Sequence, residues 1–173
     1  MGDHSATMAT AELNQQFREL LERHRKILFK VANTYCRDPQ DRADLAQEIA
    51  IQLWRAFPAY DGVRTFSTWM YRVALNVAIS FRRGIGRHEQ HTVAFDEALH
   101  DTPFDDDDAN SDERVRALYR CIDTLEPLDR ALLLLYLDER SQREIAEILG
   151  ITETNVATKI GRLKQRLRDE LGN

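Results

Sequence analysis

Asn155, Thr158, Lys159 and Arg162 fall on one side of a predicted helix whose other side carries Val156, Ile160, Leu163 and Leu167 at spacings of three and four. An amide, a hydroxyl and two cations projecting together supply the donors and acceptors that meet base edges, and the charge that meets phosphates, in a DNA groove. Thr152 is placed to cap this helix. Upstream, Ser141 and Glu144 have the spacing of a capping box, in which each side chain satisfies the other residue's free amide. A helix from Gln142 therefore buries Ile145, Ala146, Ile148 and Leu149, and Gly150 can take the left-handed conformation that stops it. Ala146, four residues before Gly150, leaves room for two helices to cross closely. Residues 141–164 thus have the sequence form of a helix-turn-helix, which alone also fits a helical hairpin with a solvated outer face. Lys164, Arg166 and Arg168 extend the basic side, where cations suit the helix C-terminus.

The net charge of −5 is unevenly spread. Residues 1–95 hold 13 Lys or Arg against 10 Asp or Glu, and residues 114–173 hold 11 against 10. Between them, residues 96–113 carry nine acids and no Lys or Arg, so the acidity belongs to a connector and both flanking blocks are mildly basic. Cys36 and Cys121 stand alone on apolar faces, as reduced buried thiols do. His88 and His91 lack further ligands nearby, so no metal is expected. No cofactor is expected either: the chain shows no paired nucleophile and base and no Gly-rich phosphate loop, which points away from an enzyme. The N-terminus lacks a signal sequence and no run approaches the ~20 apolar residues of a spanning segment, so the expectation is a cytoplasmic protein without membrane insertion.

Strand signals are absent, and the fold class expected is all-α, with two small helical domains joined by a flexible acidic linker. Residues 1–10 are read as a disordered N-terminus, 11–95 as the first domain, 96–112 as the linker and 113–173 as the second domain. A first helix over about 11–36 stops before Pro39. Asp41 is expected to cap a second helix that ends before Pro58, with Leu45, Ile49, Leu53 and Trp54 inward. A third, over about 67–83, points Met70, Val73, Ala74, Val77 and Phe81 inward and Arg72, Asn76, Ser80, Arg82 and Arg83 outward. The second domain opens with a helix bearing Val115, Leu118, Tyr119, Ile122 and Leu125, then a short apolar helix to Leu137.

Three stretches together resemble bacterial RNA polymerase sigma factors of the extracytoplasmic-function group, in the sigma-70 family: DRADLAQEIAIQLWRAF at 41–57, TFSTWMYRVALNVAISFRR at 65–83, and LEPLDRALLLLYLDERSQREIAEILG with TNVATKIGRLKQRL beyond 124. The resemblance implies that the chain binds core RNA polymerase and directs transcription initiation at promoter DNA. The first stretch would grip the polymerase clamp through Asp41, Asp44, Leu45, Gln47, Glu48 and Trp54. The second would recognise and melt the minus-ten element. Tyr60, Arg64, Phe66, Trp69, Tyr71, Arg72, Asn76, Arg82 and Arg83 would face DNA, the loop 60–65 and Asn76 forming a pocket for a flipped base that stacking and edge bonds would hold. The third would read the minus-thirty-five element with Asn155, Thr158, Lys159, Arg162, Lys164 and Arg166, Thr158 and Lys159 at base edges and Arg162 and Lys164 at phosphates. The resemblance also implies an anti-sigma factor as a further partner.

The sequence departs from the family pattern. Asp41, Arg42, Ala43 and Asp44 replace a more acidic clamp motif, which would weaken the polymerase contact. Ala157 stands where a basic residue is usual, and Glu139-Arg140 replaces the glycine before the capping serine. Added charge at Thr65, Ser67 or Thr68, as by phosphorylation, is one way polymerase binding could be restored. With the chain ending soon after the recognition helix, control is expected from outside or from modification. Two other readings stay open: a stand-alone helix-turn-helix regulator acting on duplex DNA without polymerase, and an adaptor that binds polymerase without reading promoters.

Overall fold

A computed structural model describes residues 3–82 and 113–171. Over those residues the all-α expectation holds: seven helices and no strand. The expected linker and Arg83, His88 and His91 lie outside the described residues.

Helix α1 spans Asp3–Tyr35, so helix begins within the segment expected to be disordered. Its Phe17, Leu21, Leu28, Val31 and Tyr35 are buried against α2, Pro39–Ala56, and α3, Phe66–Arg82. The cap of α2 differs from expectation. Asp38, not Asp41, accepts the Asp41 amide at 2.9 Å, and Pro39 occupies the first turn, where its fixed φ helps and its missing N–H costs nothing. Leu45, Ile49 and Leu53 of α2 are fully buried, each worth roughly 1.5–3 kcal/mol relative to exposure. A 3-10 turn, Phe57–Ala59, ends this helix, and Thr65 starts α3 by accepting the Thr68 amide on Oγ1.

The face of α3 is rotated from expectation. Met70, Tyr71, Ala74, Leu75 and Ala78 are buried, whereas Val73, Val77 and Phe81 are only half-buried. The reason is that α3 packs on α1 and α2 and also meets the C-terminal half, so two neighbours rather than one choose its buried stripe.

The second half consists of α4, Glu113–Thr124; α5, Pro127–Leu137; α6, Gln142–Leu149; and α7, Glu153–Leu171. Buried Ala131, Leu132, Leu133 and Leu135 from α5 meet Ile145 and Ile148 from α6 and Val156, Ile160 and Leu163 from α7. Tyr119, expected inward, is 48% exposed and lies beneath the Arg37 guanidinium, 4.5 Å from its ring centroid. Apolar packing is continuous between the halves, with α1 against α5 and α3 against both α5 and α6. Cys36 and Cys121 are free and buried, and burial first of all pushes each thiol up to about 11. No helix among the described residues is long and apolar enough to cross a membrane.

Candidate nucleic-acid and polymerase interfaces

The helix-turn-helix is built as its sequence requires. Ser141 Oγ accepts the Glu144 amide at 3.2 Å, and a Glu144 carboxylate oxygen accepts the Ser141 amide at 2.9 Å. The backbone bond from Ser141 leads the causes that hold the Glu144 carboxyl below its ordinary value. Gly150 sits at φ 68°, where a side chain would be strained, and Thr152 Oγ1 accepts the Asn155 amide at 3.2 Å. With Val156, Ile160 and Leu163 fixed in the core, Asn155, Thr158 and Arg162 are exposed on one face of α7. Lys159 and Arg166 flank that face and lean on the domain itself: Lys159 Nζ lies 3.9 Å from Asp129, and Arg166 donates to Thr124 at 2.9 Å and Glu170 at 2.8 Å. Lys164, expected alongside, stands about 180° round the helix from Asn155 at ~100° per residue, with its ammonium 4.5 Å over the Tyr136 ring. Six residues expected as one surface therefore form a face, a flank and an outlier.

In the N-terminal half, aromatic rings collect beside the loop 60–65. Tyr60 and Trp69 centroids are 5.1 Å apart, Phe66 and Trp69 5.3 Å, and Tyr60 and Phe66 5.7 Å. Phe57, which the sequence reading left out, stacks with Tyr60 at 6.1 Å and is buried. The loop is braced from within. The Tyr60 hydroxyl donates to the Arg64 carbonyl at 2.7 Å, Asp61 Oδ1 accepts the Val63 amide at 3.0 Å, and Gly62 takes φ 71°. Val63 is thereby held at the tip, 82% exposed. Its apolar exposure depends on the turn around it and carries no signal in sequence.

The expected minus-ten residues separate into classes. Arg72, Asn76 and Arg82 are exposed on α3, and Tyr60 and Trp69 are half-buried with their edges in the ring cluster. Phe66 and Tyr71 are buried, and Tyr71 donates its hydroxyl to Asp138 Oδ2 at 3.0 Å. Arg64 pairs with Glu147. Asn76 is not gathered with the loop: it lies about 15 Å along α3 from Phe66 at 1.5 Å per residue. There it lines an open groove with Glu48, Gln52, Val73, Val77 and Phe81.

On α2, Asp41, Asp44 and Gln47 are exposed and Glu48 half-buried beside Gln52, whose amide donates to it at 2.8 Å. Leu45 is fully buried, so it supports this surface without joining it. Trp54 meets Phe17 edge to face at 5.2 Å and is half-buried. Arg42 turns back to Asn33 Oδ1 at 3.3 Å, so the departure at this position places its cation toward α1. Thr68 is buried, and Thr65 and Ser67 are hydrogen-bonded at the start of α3.

Family models agree with this division. The model for Sigma-70 region 2 matches residues 20–88 and that for Sigma-70, region 4 matches residues 115–167. The chain is 30% identical over 157 residues to the ECF RNA polymerase sigma factor SigE of Mycolicibacterium smegmatis, covering 88% of this chain and 60% of that one. It is 27% identical over 166 residues to the ECF RNA polymerase sigma factor SigW of Bacillus subtilis, covering 90% and 88%. A solved structure of CnrH in complex with the cytosolic domain of CnrY has the same fold, with TM-score 0.64 at 22% identity over 96% of this chain and 94% of that one. Matched in order by region 2 and region 4, and similar to these relatives over nearly its whole length, the chain belongs to the extracytoplasmic-function group of the sigma-70 family.

Proposed function

We propose that this protein is a promoter-specificity subunit that binds core RNA polymerase in the cytoplasm and starts transcription at promoters with two separated elements. The observation that carries the reading is the presence, in one chain, of two differently built polar faces. One is the exposed Asn155, Thr158 and Arg162 face of α7, suited to a duplex groove. The other is the N-terminal half's braced loop with the half-buried rings of Tyr60 and Trp69, suited to stacking, and, farther along α3, exposed Arg72 and Asn76. The acidic exposed side of α2, with Asp41, Asp44 and Gln47, is assigned to polymerase. Catalysis of RNA synthesis stays with the polymerase; this chain supplies binding and strand opening. An anti-sigma protein is assigned as a further partner on the resemblance.

Run-off transcription on fragmented genomic DNA, using core polymerase with and without the protein, tests the reading. New start sites sharing two spaced upstream motifs are expected. Tight duplex binding without polymerase, and no new starts with it, would assign the chain to stand-alone regulators instead.

A further inference from the structure

We infer that α7 reads its duplex through the methyl group of a thymine, met by the methyl of Thr158, and not through a hydrogen bond from the Thr158 hydroxyl or the Lys159 ammonium to a base edge. That contact rests on the proposed function, which assigns this face of α7 to a duplex groove.

Helical geometry puts Thr158 at the centre of the exposed side. With Val156, Ile160 and Leu163 buried, a turn of about 100° per residue sets Thr158 within roughly 15° of directly opposite their mean direction. It lies in the second turn of α7, in the part of a recognition helix that meets base edges. Its hydroxyl is already engaged. Oγ1 donates to the Thr154 carbonyl one turn back at 3.0 Å, which commits its one proton to the backbone. The group that Thr158 has left to present is its methyl.

Most other polar groups of α7 are engaged as well. Lys159 Nζ lies 3.9 Å from Asp129, Gln165 donates to Asp169 at 2.8 Å, Arg166 to Glu170 at 2.8 Å and Arg168 to Gln165 Oε1 at 3.4 Å. Asn155, of which Thr152 takes only the backbone amide, and Arg162 remain exposed to one side of Thr158, where they can orient the helix on the duplex. On its other side stand exposed Ala157 and Gly161. A Cβ at Gly161 would meet nothing within 4 Å, so packing inside the chain gives no reason for glycine there, and alanine would form the helix better. The bare backbone leaves room for a groove wall to come close to the Thr158 methyl. In the major groove thymine alone carries a C5-methyl, and a threonine or alanine methyl is its apolar complement. Cytosine has only hydrogen at that carbon, so the two pyrimidines are told apart by apolar contact and exclusion of water, with no donor or acceptor required.

The test selects duplexes from a random pool, retained by the full chain with core polymerase and, in parallel, by the full chain alone at low salt. The upstream motif they share is then synthesised with each thymine in turn replaced by deoxyuridine, which removes only the methyl. One replacement should weaken wild-type binding about fourfold, the worth of one methyl group withdrawn from water, and the others should not. Thr158→Val exchanges the hydroxyl for a second methyl; it should bind at least as tightly as wild type and keep the sensitivity to deoxyuridine. Thr158→Ser keeps the hydroxyl and loses the methyl; it should bind the thymine duplex about fourfold more weakly and no longer distinguish deoxyuridine. Circular dichroism checks that both variants, altered at an exposed position, stay helical. The reverse pattern, with valine losing affinity and serine retaining it, would overturn the inference, as would a wild type indifferent to every replacement. A motif retained by the chain alone would overturn the sigma reading, while the same scan decides the methyl contact. No shared motif under either condition would overturn both.

Discussion

The helix-turn-helix and the α3 face present two ways of making a DNA-binding surface. In α6 and α7 every decisive interaction is local: Ser141 with Glu144, Gly150 at the turn, Thr152 with Asn155. The outer face is exposed because no other described element packs on it. On α3 the surface depends on residues far away in sequence. Phe57 and Phe17 support the ring cluster, Gln52 and Glu48 line the groove beside Asn76, and Asp138 and Glu147 occupy Tyr71 and Arg64. A locally specified surface is ready as folded, whereas one specified by tertiary contacts can be covered or uncovered by moving a neighbour.

The largest expected effect separates support from contact on α2. Leu45→Ala should lower stability by about 2–5 kcal/mol, because a fully buried side chain leaves a cavity. Asp44→Ala should leave stability within about 0.5 kcal/mol of wild type and weaken core polymerase binding; thermal melts and a polymerase pull-down distinguish the two. Next, Arg162→Ala should weaken polymerase-dependent binding to closed duplex about equally across sequences and lower the slope of its salt dependence by about 1, as loss of a phosphate contact does. Ser141→Ala should cost about 0.5–2 kcal/mol by removing the capping box, with denaturant unfolding as the measurement. The smallest effect is at the strained turn: Glu139→Gly should be neutral or stabilise by about 0.5 kcal/mol, since relief of the left-handed side chain is offset by glycine's greater freedom when unfolded.

A pH titration sharpens the same comparison. Burial opposes ionisation of Asp138, but hydrogen bonds from Lys30, Tyr71 and Arg140 and the Lys30 charge outweigh it and hold the carboxyl below its ordinary value of 3.8. A depressed carboxyl stabilises the bonded state above its ordinary value, and that contribution disappears as pH falls through the depressed one. Thermal unfolding should therefore show this contribution unchanged between pH 7 and about 5 and lost only in stronger acid. Its loss already near neutrality would mean that Asp138 does not carry it.

These contrasts also explain what could be read from the sequence. Caps, glycine turn and apolar period located α6 and α7 closely because each signal acts within a few residues. Pro39 has the character of a stop after α1, but with Asp38 ahead of it as cap it is the start of α2. On α3 the periodicity gave the helix but not its buried stripe, since Val73, Val77 and Phe81 recur as regularly as Met70, Ala74 and Ala78. Lys164 shares its charge with residues from which the helical turn separates it. The contact between halves left no sequence trace, because its partners lie as far apart as Lys30 and Asp138.

If one face holds duplex and the other opens it, permanganate footprinting of polymerase complexes on a mapped promoter separates the two roles. Asn76→Ala should retain closed-duplex binding and lose the reactivity of unpaired thymines, while Arg162→Ala should lose both in proportion. Equal loss of binding in the two variants, or normal opening with Asn76→Ala, would contradict the division of labour.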